Sequence, residues 1–346
     1  MSEDATLRAA PATEGALMRA TPVRKLWPWL VGFLVLALLP ELATNNYQHF
    51  LLNIIFINII LAVGLNIVKG FAGQVTVGHI ALAAIGAYSS AVLSAKFGLP
   101  FWLALPSAMV ITGLAGVMVG VPSFRLEGAY LALATLGLAE SVRIFISATD
   151  YLGASIGFSD IPPPSIAGYT LGNHVAYYYV IMPLALAGIY FSFAILRSDI
   201  GRCFQALRED PLAAAASGIN VRKYKLLAFL ISALYAGCAG SLQAHHSPGF
   251  IHPNNYTITE MVTLLLMVVL GGIGHIWGGI IGAVLITIIY DLTRDYYQYQ
   301  LAIFGMIIVL TVTYMPKGIG GIIDRFFAER RFNALRKAKV EKANAA

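Results

Sequence analysis

Residues Gly201–Lys225 read GRCFQALREDPLAAAASGINVRKYK. This is the longest polar interruption between the first and last apolar runs of the chain, and what it interrupts decides the fold. Within it, Asp210-Pro211 followed by LAAAAS and Gly218 predicts one complete short helix. An aspartate caps free N–H groups at a helix start. Proline suits the first helical position, where its missing donor is harmless. Alanine favours helix, and glycine suits the left-handed stop. The predicted rod has about two turns, roughly 10 Å. It is too short to span a membrane and marginal in isolation, so it needs a partner surface. An alanine face allows close approach, with Arg208, Glu209, Arg222, Lys223 and Lys225 as rim contacts.

On either side of this insert the chain is oil. Of its 346 residues 58% are hydrophobic and 12% charged, with a mean hydropathy of +0.74. Soluble chains carry about 25% charged residues. Apolar runs near 20 residues are membrane spans, and ten are read here: near 27–43, 50–68, 76–95, 101–121, 129–147, 177–196, 226–244, 259–273, 277–291 and 299–315. With the N-terminus placed in the cytosol, all but Lys96, Arg143 and Arg294 of the 23 Lys and Arg fall on the cytosolic side. That bias orients a membrane protein and predicts both termini inside. The expected class is an all-α polytopic membrane protein of about ten transmembrane helices. Its expected parts are a disordered cytosolic tail (1–25), a transmembrane domain (26–316) holding a cytosolic loop (197–225), and a basic cytosolic tail (317–346).

Basic charge at the edges of spans argues against nucleic acid as a partner. The start of the chain has no apolar h-region, so no cleaved signal peptide is expected. Cys203 and Cys238 form no disulfide framework and no metal pattern.

Small residues recur at fourfold spacing in the third span (Ala83, Ala87, Ala91, Ala95, with Gly86, Ser90, Ser94) and in the seventh (Ser232, Ala236, Gly240, with Ala233, Gly237, Ser241). Such rows let helix backbones approach closely in lipid. Glycine-interrupted apolar stretches, Gly70–Tyr88 and Leu270–Ala283, predict broken helices of the kind that line transport sites. VGHIALAAIGA (77–87) and IGHIWGGIIGA (273–283) agree at six of eleven positions, which marks a candidate internal repeat. Gln74, Thr76, Gly78, His79, Gly274 and His275 are the candidate pathway residues. No carboxylate or cysteine accompanies the two histidines at ligand spacing, so no metal is expected. Glu140 pairs along its helix with Arg143. The segments 148–176 and 245–258 are candidate outer docking loops; His245, His246 and His252 raise a metal site as one reading, and a His-Pro turn is the plainer one.

Four blocks then resemble one family in order: GLNIVKGFAGQVTVGHIALAAIGAY, RLEGAYLALATLGLAESVRI, ALREDPLAAAASGINVRKYKLLAF and LLLMVVLGGIGHIWGGIIGA. Together they are similar to the permease subunits of branched-chain amino acid ABC importers, in particular the M-type permeases of the Liv system, over roughly residues 50–320. The resemblance implies a second homologous permease, two ATP-binding subunits and a periplasmic substrate-binding protein as partners, in the inner membrane. It implies that the stretch from Ala206 to Lys225 contacts the ATPase, which gives Arg208, Glu209, Asp210, Pro211, Ala214, Gly218, Arg222 and Lys223 as coupling residues. The chain departs from the family where a G-P-x-x-G motif becomes Gly279-Ile-Ile-Gly282, and where a serine is replaced by Thr76 or Val77, depending on register. With no G-x-x-x-x-G-K-[ST] of its own, the chain is expected to bind no cofactor and to leave ATP and magnesium to the partner subunits. The alternative is an ion-coupled secondary transporter with Glu140 as the coupling carboxylate.

Overall fold

The computed structural model describes residues 36, 37, 39–41, 45–166, 168–246, 249–315 and 318–321. Everything below concerns the unit that begins at Asn45. The first expected span, 27–43, and both expected tails lie largely or wholly outside the described residues. Each of the other nine expected spans coincides with a helix.

Helix α1 (Asn46–Asn66) runs on as a π-helical turn, Ile67–Phe71. Then come α2 (His79–Ala95), α3 (Phe101–Gly120), α4 (Ala129–Ala148) and α5 (His174–Arg197). The polar insert supplies α6 (Asp199–Glu209) and α7 (Pro211–Ala216). The chain continues with α8 (Val221–His245), α9 (Ile258–Gly271), α10 (Ile276–Leu292) and α11 (Tyr297–Tyr314). Among the described residues the strands are confined to a small antiparallel hairpin, β1 (Ser165–Ile166) with β2 (Tyr169–Thr170).

Among the described residues six helices are long and apolar enough to cross a membrane: α1, α3, α4, α5, α8 and α11. Helices α2, α9 and α10 are apolar but shorter, at 17, 14 and 17 residues. Fourteen residues reach about 21 Å, less than the roughly 30 Å hydrocarbon core. These short helices flank the two glycine breaks, as expected of interrupted spans. The third span was read from residue 76, but the helix begins at His79 because residues 73–78 run as non-helical backbone.

Helix α8 packs between α2 and α3 along the predicted small-residue rows. A Cβ built at Gly240 would lie 2.1 Å from Ala83 O, and one at Gly86 would lie 2.6 Å from Gly237 Cα. On the α3 side, a Cβ at Gly116 would lie 2.2 Å from Ala233 Cβ. Lipid supplies no hydrophobic drive between helices, so close contact and hydrogen bonds must hold them. Polar contacts tie both ends of the α2–α8 seam. At one end Ser232 Oγ lies 3.1 Å from His79 Nδ1. At the other, Ser90 Oγ lies 2.7 Å from Ser241 Oγ and 3.0 Å from His245 Nε2, and His245 Nδ1 lies 2.8 Å from Pro162 O. All four of these serine and histidine side chains at the two ends, and Ser241 with them, are buried.

The loops sort into two ends. At one, Phe158 bridges Ile251, His245 meets Pro162, and Trp102 Nε1 donates to Ser165 O at 3.0 Å. His252 accepts from Asn254 N at 3.0 Å and caps a turn there, as read from the sequence. At the other end lie the π turn after α1, the α3–α4 connection, the α6–α7 insert and the α9–α10 break. This second end holds the candidate coupling residues and is called the basic end below.

Candidate functional site

Helix α7 forms as its residues dictate. Asp210 Oδ1 accepts from Leu212 N at 2.7 Å and from Ala213 N at 3.2 Å. Pro211 stands at the first position. Gly218 follows the helix at φ +84°, and Ile219 N donates back to Ala214 O. Ala214 is buried and seats the helix, while Leu212 is 82% exposed. Ala213, Ala215 and Ala216 are also exposed, as are Arg222 and Lys223 at the start of α8. The free face of α7 is therefore a leucine on an alanine bed.

Lys225 does not belong to that rim. It is 3% exposed, and its Nζ donates to Ser123 O at 3.1 Å and pairs with Glu127 Oε1 at 2.8 Å. One helical turn beyond Val221, its side chain turns from the aqueous side to the α3–α4 connection and fastens α8 there.

Helix α6 was not foreseen. Its signal is amphipathic: Gly201, Phe204 and Leu207 are buried at spacing of three among polar neighbours, which is a helix stripe. This stripe holds α6 against the bundle and aims its last turn at both glycine breaks. Arg208 packs there. A Cβ built at Gly73 would lie 3.0 Å from Arg208 Cα, and one at Gly274 would lie 2.2 Å from Arg208 Nη1. Both glycines have positive φ, +70° and +87°, a region that L side chains avoid. One residue of the predicted coupling set therefore touches both predicted pathway motifs.

The breaks are also joined to each other, by a residue the sequence reading passed over. Asn66, the last residue of α1 and 1% exposed, accepts from Gly274 N through Oδ1 at 2.9 Å. Its Nδ2 donates to His275 O, also at 2.9 Å. Gly70 is packed so closely that a Cβ there would come 1.9 Å from Asn66 Oδ1 and 2.5 Å from Gly274 N. A lone amide in an apolar run was the available signal, because a buried amide must find partners.

The six candidate pathway residues divide. Gly274 and His275 line a cavity of about 250 Å³ together with Phe71, Phe193, Arg197 and Trp277. Gln74, Thr76, Gly78 and His79 do not line it. Gln74 and Thr76 are buried and serve local backbone: Gln74 Nε2 donates to Ala72 O at 3.2 Å, and Thr76 Oγ1 accepts from Gly78 N at 3.3 Å. Gly78 presses on α4, where a Cβ would lie 2.9 Å from Thr135 O. Val77 N donates to Thr135 Oγ1 at 3.0 Å. His79 is the first residue of α2 and His275 immediately precedes α10, so the two repeat segments both begin helices. Among the described residues no cluster of His, Cys, Asp and Glu is arranged to hold a metal.

Glu140, the carboxylate of the rival reading, is already paired. Arg143 Nε donates to both of its oxygens at 3.0 Å. The pair lies on α4, which buries Leu131, Thr135, Ala139 and Ile146 and exposes most of its remaining surface.

The model of the family described as "Branched-chain amino acid transport system / permease component" matches residues 48–312. The chain is 34% identical over 333 residues to the high-affinity branched-chain amino acid transport system permease protein LivM of Escherichia coli (strain K12), covering 89% of this chain and 77% of that one. It is 27% identical over 284 residues to the permease protein LivH of the same organism, covering 76% and 90%. It is 29% identical over 279 residues to the ribose import permease protein RbsC of Haemophilus influenzae, covering 75% and 82%. No solved structure matches the chain. A bundle of apolar helices with two glycine breaks and a capped polar insert thus has its place among known proteins, and the chain belongs to the family of branched-chain amino acid transport permeases.

Proposed function

We propose that this permease works by alternating access under the control of a separate ATP-hydrolysing subunit docked on α7. The observation that carries this reading is the path from α7 through Arg208 to Gly73 and Gly274. A motor groove receives Leu212 and the surrounding alanines, with Arg222 and Lys223 at the rim. Closure of the motor pushes α6–α7, and Arg208 passes the displacement to both broken spans. ATP and magnesium belong to the motor.

In this reading the basic end faces the cytosol of an inner-membrane protein. Lys69, Arg125, Arg197, Arg202, Arg208, Arg222 and Lys223 lie there, whereas Lys96 and Arg294 lie opposite, in agreement with the positive-inside bias. The chain then crosses ten times, with both termini inside. The far end, with exposed Ile156, Tyr169 and Phe250 beside Asp150 and Asp160, receives a loaded substrate-binding protein. The exposed face of α4 meets a second, homologous permease. Gly137 and Ser141 leave it open there: a Cβ at Gly137 meets nothing within 4 Å, which suits a close helix–helix contact. Substrate then passes between the two permeases. The names of LivM and LivH favour branched-chain amino acids as the cargo.

The test is purification of the assembly through a tag on this chain from its native cells, followed by ATP-dependent uptake of labelled leucine in proteoliposomes. Co-purification of an ATPase that is lost on Leu212→Glu supports the reading. Uptake that persists without the motor and collapses in Glu140→Gln would overturn it in favour of an ion-coupled carrier.

A further inference from the structure

We propose that Asn66 is a positioning residue that makes the two broken spans respond as one body to Arg208. The inference rests on the motor-driven reading above and adds the element that transmits the push sideways.

Where the breaks meet, glycine backbone lies on glycine backbone: a Cβ at Gly70 would come 2.5 Å from Gly274 N. Residues 272–275 form a link whose backbone has left the helix, with Gly272 at φ +114° and Gly274 at +87°. Polar groups freed from a helix must be satisfied in some other way. The Asn66 amide satisfies the Gly274 N–H and adds a second donor to the His275 carbonyl, which also accepts from Gly279 N of α10. Because one side-chain plane makes both bonds, it fixes the orientation of the link as well as its distance. Its own backbone is the junction at which α1 passes into the π turn Ile67–Phe71, and π turns of this kind are frequent at functional sites. Gly70 closes the back of the amide, so Asn66 cannot swing away without moving the π turn.

Arg208 touches the link on its Gly274 side and the segment after the π turn at Gly73. A displacement of Arg208 is therefore delivered at two points of a structure that Asn66 has closed into a ring. With Asn66 cut, the same displacement moves each segment separately. The motor would still close and still hydrolyse ATP, but its stroke would be spent on local bending of the two segments.

The experiment uses the full transporter assembly in proteoliposomes and reads leucine moved per ATP hydrolysed, alongside hydrogen exchange at residues 271–276. For Asn66→Ala the expected result is normal co-purification with the motor, ATP hydrolysis within about twofold of the parent, and a fall of about tenfold in leucine per ATP, within the usual range of coupling between sites. Exchange at Gly274 should rise in the same variant. Asn66→Asp keeps the acceptor for Gly274 N–H but sets an oxygen against the His275 carbonyl in place of the donor, so it should retain protection at Gly274 while still losing transport. The proposal is overturned if Asn66→Ala frees the Gly274 amide but leaves leucine per ATP within twofold, or if both variants fail to assemble, which would make Asn66 a folding residue. Should the parent assembly itself show no ATP-dependent uptake, the fault lies with the motor-driven reading, and exchange at Gly274 still reports on the ring.

Discussion

At the scale of single residues, this permease is held by side chains that satisfy backbone groups and by glycines that admit a neighbour's backbone. Gly240 is the tightest instance on the α2–α8 seam, since a Cβ there would sit 2.1 Å from a carbonyl oxygen. Backbone cannot yield as a flexible side chain does, and overpacking of this kind costs about 1–3 kcal/mol or more. Gly240→Val should therefore lower the melting temperature in detergent by several degrees, measured on purified protein, whereas Gly137→Val, with nothing within 4 Å, should leave the isolated chain unchanged. Lys225 gives the opposite lesson. Its sequence neighbours, Arg222 and Lys223, are exposed, so a reading by composition puts all three in water; only the position of Ser123 and Glu127 shows that it turns inward. The same holds for Asn66, whose two partners lie more than 200 positions away in sequence.

Among the elements, α7 was the most legible because everything that makes it is local. Asp210, Pro211 and Gly218 cap, start and stop six residues through contacts within the segment itself. That locality allows a clean prediction. Asp210→Ala removes two hydrogen bonds to Leu212 and Ala213 and should cost about 1 kcal/mol of helix stability. Gly218→Val forces a β-branched residue into φ +84°, at about 1–2 kcal/mol. Both should leave the chain inserted and folded, by size-exclusion profile, while lowering leucine uptake more than ATP hydrolysis. Unchanged uptake in both would show that α7 is not the contact through which the motor acts. The breaks were legible too, as glycine-rich interruptions, but their pairing was not. Helix α6 was passed over because its apolar stripe is only three residues wide.

For the molecule as a whole, the apolar runs and the distribution of Lys and Arg gave nine helix positions to within a few residues. Loop contacts at the two ends were beyond their reach. One such contact carries a pH dependence. His246, just past α8, lies 3.3 Å from Asn53 Nδ2 and is ringed by Phe50, His174 and Tyr177. Burial, and then the neighbouring His174, press its pKa down to about 4. In the unfolded chain it returns to about 6.5. Between these values the unfolded state binds the extra proton, so stability is complete above about pH 6.5 and drains away as the pH falls toward 4. The melting temperature should drop by a few degrees from pH 7 to pH 5, and His246→Gln should flatten that slope. A slope unchanged in His246→Gln would place the titration elsewhere.

The α2–α8 seam limits how any of this can move. Its interlocked backbones are fastened by His79 with Ser232 at one extremity and by Ser90, Ser241 and His245 at the other. Slipping one helix along the other by a single residue, about 1.5 Å, would break both fastenings and drive Gly240 into Ala83. Axial gliding is thus closed to this pair, and it can only rock as one strut. Because His245 also grips Pro162, the strut reaches from the starts of α2 and α8 to the opposite loop, so a tilt begun at either extremity is felt at the other.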